Sequence, residues 1–180
     1  MSPHVSADIV GITIEAEKLT LPQASNNLVV ELAGGLMVPL TKDLLMVHRL
    51  KQWNLSVILV SKYYLGSINH TLLSIEVLKA HNIPIEGIIF NGETNPTSKE
   101  AILAYSELPL IGEILWVEEE MNKEKVKELA QLLISKKSCV PLNTGLKNKQ
   151  PAKSLTSHFL QFLASSGLNL KVSTVLRTRQ

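Results

Sequence analysis

The 180-residue chain has a single cysteine, Cys139, so it cannot form a disulfide within itself. A lone thiol suits a reducing compartment, and a cytoplasmic location is expected. No apolar run reaches the ~18 residues that a membrane-spanning helix needs, so no membrane is expected among its partners. The opening residues, Met1-Ser2-Pro3-His4-Val5, form neither the basic nor the apolar segment of a secretory signal. Acidic residues are missing from one whole region. Residues 1–137 hold all 16 acids and 12 lysines and arginines, whereas residues 138–180 hold six basic residues and no acid.

That change of sign marks a boundary at about residue 137. A basic tail can dock on an acidic partner or on nucleic acid. It can also be out-of-frame translation past a frameshift near Ser138, under no selection for folding. The tail lacks the aromatic or arginine-rich interleaving of a nucleic-acid binder, which favours the second reading. It is then expected to be poorly ordered, with at most a short helix from Leu155 to Ser166. It should add nothing to a ligand site.

Residues 1–137 read as one α/β domain. The chain is 45% hydrophobic and 19% charged, a globular balance. Three short apolar runs, Leu28 to Val30, Ser56 to Val60 and Ile85 to Phe90, are mostly β-branched and each ends at a polar residue. They are read as buried parallel strands, and a fourth is expected at Leu110 to Ile114. Helical spacing covers Thr41 to Trp53, Ser67 to Ala80 and Asn122 to Lys136, with Asn122 as a candidate N-cap. Alternation of this kind predicts a parallel sheet flanked by helices. Ligands of such sheets sit beyond the carboxyl ends of the strands. Those ends carry Glu31, Ser61 and Asn91.

Four stretches near those ends can carry chemistry. In Val30-Glu31-Leu32-Ala33-Gly34-Gly35, a carboxylate offers a hard oxygen to Mg²⁺, and glycines let backbone amides approach phosphate. A tight turn with a solvated glutamate explains the same residues, and spacing alone does not choose. In Leu65-Gly66-Ser67-Ile68-Asn69-His70-Thr71, a helix start presents free N–H groups to an anion, with the Asn69 amide beside them. A plain Ser67 cap is the simpler account. In Phe90-Asn91-Gly92 the amide can pair with a nucleobase edge, or the pair simply turns the chain. In Gly112-Glu113-Ile114-Leu115 the glycine can admit a flat ligand or a neighbouring backbone.

In order and spacing, these stretches resemble the dethiobiotin synthetases, whose pattern runs Ser-Pro-His, Val-Glu-Gly-Ala-Gly-Gly, Leu-Gly-x-Ile-Asn-His, a strand-end Asn, then Gly-Glu-Ile-Pro. The matching residues here are Ser2-Pro3-His4, Val30 to Gly35, Leu65 to Leu73, Asn91, and Gly112 to Leu115, so the resemblance covers about residues 2–135. It implies a P-loop NTPase-like fold, truncated at the N-terminus, and an ATP- and Mg²⁺-dependent ureido-ring closure between CO₂ and 7,8-diaminopelargonate by a homodimer. It further implies Glu31 as the magnesium ligand, with Gly34 and Gly35 in the adjoining phosphate and substrate loop. Gly66, Ser67 and Asn69 would hold the diaminopelargonate carboxylate, Asn91 would bind adenine, and Gly112, Glu113, Ile114 and Leu115 would wall the adenine pocket.

Two departures qualify the match: Leu32 stands where the pattern has Gly, and Leu115 where it has Pro. A third bears on the reaction itself. No Gly-x-x-x-x-Gly-Lys-[Ser/Thr] occurs in the chain, and phosphoryl transfer depends on that cradle of amides and positive charge. The expectation is therefore an incomplete enzyme, with Met1 an internal methionine. The alternative is a non-catalytic dimerisation module or a subunit completed by a separate N-terminal polypeptide. Purified alone, the chain should form dethiobiotin at least roughly a thousandfold more slowly than an intact enzyme, as loss of a phosphate cradle predicts. A steady-state turnover near ~1 s⁻¹ would contradict this.

Overall fold

The computed structural model describes residues 2–23, 28–115, 122–135 and 172–177. The apolar β-branched runs form the strands expected of them: β1 Val29–Glu31, β2 Ser56–Lys62, β3 Ile85–Asn91 and β4 Leu110–Ile114. β2 pairs in parallel with β3, from Val57 opposite Ile85 to Lys62 opposite Asn91. β3 pairs in parallel with β4, bringing Asn91 opposite Ile114. The helices are α1 Pro3–Val10, α2 Met46–Trp53, α3 Ser67–Ala80, α4 Pro96–Ser106 and α5 Lys123–Ser135, with a 3-10 turn at Ala16–Lys18. Among the described residues, no helix is long and apolar enough to cross a membrane.

Successive side chains of a strand face opposite sides of a sheet, and that alternation sorts the core. Leu59, Ile88 and Phe90 pack with Ile75 of α3 and Ile102 of α4 on one face. Val60, Ile89 and Ile114 pack with Val126 and Ala130 of α5 on the other. A third cluster joins Val57 to Met46, Val47 and Leu50 of α2, Leu78 of α3, and Leu32, Leu36 and Leu40 of the segment after β1. Gly87 is required where β3 meets β4, because a Cβ there would lie 2.5 Å from the Pro109 carbonyl oxygen.

The structure corrects the sequence reading in three places. The helix expected from Thr41 starts at Met46, because the Leu40 amide donates to the Leu44 carbonyl at 2.8 Å and the Asp43 amide to the Thr41 hydroxyl at 3.3 Å. That turn still delivers Leu44 and Leu45 to the core. α1 and α4 have no counterpart in the sequence reading. Their local signals are a proline in the first turn of each and, for α4, Asn95, whose side chain accepts from the Ser98 amide.

The third correction concerns the tail. Val172–Arg177 forms β5, and the sheet order is β1-β5-β2-β3-β4. β5 runs antiparallel to both neighbours, with Val175 opposite Glu31 on β1 and opposite Ile58 on β2. The sheet is therefore mixed rather than wholly parallel. The tail supplies the strand that connects β1 to the rest of it, and its backbone abuts Glu31. The expectation that residues 138–180 are poorly ordered fails for this segment. Its signal was the β-branched run Val172-Ser173-Thr174-Val175. The helix expected from Leu155 to Ser166 lies outside the described residues.

A strand paired on both sides uses every backbone N–H, so proline is excluded from it. Thr174→Pro should destabilise the chain by ~3 kcal/mol or more and strip hydrogen-exchange protection from Val29 to Glu31. Unchanged exchange at those amides would show that β1 does not depend on β5.

Candidate functional site

The polar residues gather at the carboxyl ends of β1, β2 and β3, as a parallel arrangement dictates. The loop from β2 into α3 is held by the Ser67 amide donating to the Tyr64 carbonyl at 2.9 Å and by the His70 amide donating to the Gly66 carbonyl at 3.1 Å. Gly66 takes φ +97°, a left-handed conformation that favours glycine. It caps α3 without a side-chain hydrogen bond, so the simple Ser67 cap does not form. Among the described residues the Ile68 and Asn69 amides have no acceptor. Ser67 is buried, and Ser61 and Thr71 share a buried 2.7 Å hydrogen bond that pins α3 to β2. Ser61, though at a strand end, is thus spent on packing.

The start of α3 opens onto a groove of about 850 Å³. One wall is the β2–α3 loop, including Tyr63, Gly66, Ser67 and Asn69; the other is Glu93 to Asn95 with Ser98 at the start of α4. Gly66, Ser67 and Asn69, singled out from the sequence, therefore do come together. Tyr63, Glu93 and Ser98 were not singled out. Tyr63 lies just before the Leu65 to Thr71 stretch, and its role depends on Phe90 of β3 and Glu113 of β4.

Asn91 and Glu113 fall on opposite faces of the sheet. Asn91 follows Phe90, which packs under α3 and α4, so its side chain points to the α5 side. It is only 8% exposed. Its backbone is fixed, with its carbonyl accepting from the Tyr63 amide at 3.2 Å, while the Gly92 amide donates to Ile114 at 3.0 Å. An amide at this position presents both a donor and an acceptor, which suits a ligand edge. Gly112 and Ile114 lie beside this position on β4, and Leu115 is exposed at its end. The Glu113 carboxylate instead turns to the α4 side. It accepts from the Tyr63 hydroxyl and from the Lys99 ammonium, each at 2.8 Å.

Burial, the hydrogen bond to Glu113 and its negative charge together raise the Tyr63 phenol well above its ordinary pKa. Glu31 ends β1 half-buried, and desolvation raises its carboxyl above the usual carboxylate range. Gly34 follows in a left-handed turn at φ +99°, its amide donating to the Leu32 carbonyl at 2.9 Å, and a Cβ on Gly35 would meet nothing within 4 Å. The turn is open to a ligand and is anchored by Leu32 and Leu36 in the core. Among the described residues no group of three or more histidine, cysteine or acidic side chains is placed to hold a metal. A single carboxylate still fits Mg²⁺, which is commonly held by one or two carboxylates together with phosphate oxygens and water.

The profile of a family described as an AAA domain matches residues 1–143. The ATP-dependent dethiobiotin synthetase BioD of Rhodopseudomonas palustris strain HaA2 is 45% identical over 113 residues, covering 63% of this chain and 53% of that protein. The protein of the same name from Christiangramia forsetii is 45% identical over 133 residues, covering 73% and 62%. That from Bradyrhizobium diazoefficiens is 44% identical over 117 residues, covering 64% and 56%. The chain thus spans between about half and three-fifths of the length of these curated relatives. With its parallel β2–β3–β4 core flanked by helices, the chain belongs to the AAA domain family, and within it resembles the ATP-dependent dethiobiotin synthetases.

Proposed function

We propose that this chain carries the substrate-carboxylate and adenine-recognition half of a dethiobiotin synthetase site, serving the closure of a ureido ring from 7,8-diaminopelargonate, CO₂ and ATP. The observation that carries the proposal is the groove at the start of α3, where the Ile68 and Asn69 amides, without an acceptor among the described residues, and the Asn69 side chain would receive an anion. A diaminopelargonate carboxylate would dock there. Glu93, on the facing wall, suits an amine-bearing ligand. The Asn91 amide on the other face would read the adenine edge, with Gly112, Ile114 and Leu115 beside it.

Glu31 would hold Mg²⁺, with Gly34 and Gly35 leaving room for phosphate. When bound, the ion would neutralise developing charge on the phosphate oxygens. In the reaction, a substrate carbamate oxygen attacks the γ-phosphorus and ADP departs. The second amine then attacks the carbonyl carbon of the mixed anhydride and expels phosphate, closing the ring. The chain's own residues orient the diamine by its carboxylate so that the second amine is held near that carbonyl, a contribution of position rather than of acid–base chemistry. Leu65 and Ile68 of the groove, with Leu73 further along α3, are exposed and support closure of a second copy over it, as a homodimer. The lone cysteine supports a reducing cytoplasm as its compartment.

Asn69→Ala should weaken 7,8-diaminopelargonate binding, measured by calorimetry, by roughly tenfold, the worth of one hydrogen bond to a charged group. Wild-type protein that binds neither this compound nor its carboxylate analogues would refute the assignment of the groove.

Glu31→Gln separates the two roles of that carboxylate. Because the folded-state pKa is raised, the stability tied to its protonated form is fully present at low pH. That stability is lost as pH rises through the folded value. A neutral amide retains it, so the variant should melt no lower than wild type at neutral pH. Its Mg²⁺-dependent binding of ATP should fall. A lower melting temperature with unaltered Mg²⁺ response would make Glu31 a structural residue only.

A further inference from the structure

The two walls of the groove belong to different segments, and one carboxylate touches both. Tyr63 begins the loop that forms the first wall. Its ring lies parallel to Phe90, with centroids 5.3 Å apart and planes inclined by 1°, and its hydroxyl donates to Glu113 Oε1 at 2.8 Å. Lys99 stands in the first turn of α4, directly after the lining residue Ser98, and donates to Glu113 Oε2 at 2.8 Å. The Glu113 and Lys99 side chains are 16% and 24% exposed, so this ion pair is shielded from water far more than a surface pair. Glu113 itself lies on β4, whose backbone is fixed by the β3 ladder.

From this bridge we propose that Glu113 is a positioning residue that sets the width of the groove, by tying the β2–α3 loop through Tyr63 and the start of α4 through Lys99 to one rigid strand. Each of its two oxygens serves one wall. An anion held at the α3 start then meets the Glu93–Asn95 wall at a fixed distance. Loss of either tie frees one wall while the sheet beneath stays intact. The expected cost falls on binding, and the role for bound diaminopelargonate rests on the function proposed above.

The test reads groove width directly and needs no ligand. Spin labels at Leu65 and Thr97, both exposed, are introduced by Leu65→Cys and Thr97→Cys in a Cys139→Ser background, and the distance distribution across the groove is measured. A narrow distribution is expected for the otherwise unchanged chain. It should broaden in Tyr63→Phe, which keeps the ring against Phe90 and removes only the hydroxyl, and in Lys99→Met. Lys99→Arg, which keeps the charge, should restore it. Glu113→Gln should broaden it as much as the two ties broken together. Distributions that stay narrow in Tyr63→Phe and Lys99→Met, with melting temperatures preserved, would overturn the proposal. So would broadening in Lys99→Arg equal to that in Lys99→Met. In unlabelled protein, the same variants should weaken 7,8-diaminopelargonate binding by roughly tenfold. Wild type that fails to bind the compound refutes the functional reading alone and leaves the width measurement to decide the role of Glu113.

Discussion

The parallel pairing of β2 with β3 is the constraint from which the rest of the molecule follows. Its register aligns the ends of both strands, so that Lys62 stands opposite Asn91 and both connections leave the sheet at one level. The two strands are buried on both faces, with Val57, Leu59, Ile88 and Phe90 fully or almost fully withdrawn from water. Burial on two sides removes any choice of register, because a slip of one residue would exchange the faces. With the faces fixed, every polar residue beyond the strand ends is assigned a side.

That assignment separates two groups of polar residues. On the α3 and α4 side lie the groove, the uncapped amides at the start of α3 and the Glu113 bridge. On the α5 side lies the Asn91 amide with Gly112 and Ile114. Asn91 and Glu113 are on neighbouring strands, yet their side chains serve different spaces. A site of the proposed kind, for a carboxylate, a flat base and a phosphate chain, would gain from such partition, since each partner could be desolvated without crowding the others.

β5 adds a different kind of dependence. It is the one antiparallel strand among those described, and it comes from a region whose charge balance differs from everything before it. β1 reaches the rest of the sheet through it, and β1 ends at Glu31. The placement of the candidate metal ligand therefore rests on a strand more than 140 residues away in sequence, as expected of sheets built from non-local contacts.

Several features were legible in the residues themselves. β-branched runs ending in polar residues located β1 to β4, because a short apolar stretch buried on both faces has few other solutions. Glycine followed by serine and asparagine located the start of α3, since an uncapped helix start leaves N–H groups facing outward. Other features depended on distant partners and had no local mark. Thr41 to Leu45 carries helical spacing but turns instead, because its hydrogen bonds close within the loop while its leucines fill a core already organised by α2. Glu113 sits in a motif that resembles an adenine wall, yet strand alternation and the ammonium of Lys99 draw its carboxylate to the opposite face. Composition alone marks a change of charge at about residue 137. Whether a strand beyond it pairs with the sheet depends on an open position between β1 and β2, which exists only once the chain has folded.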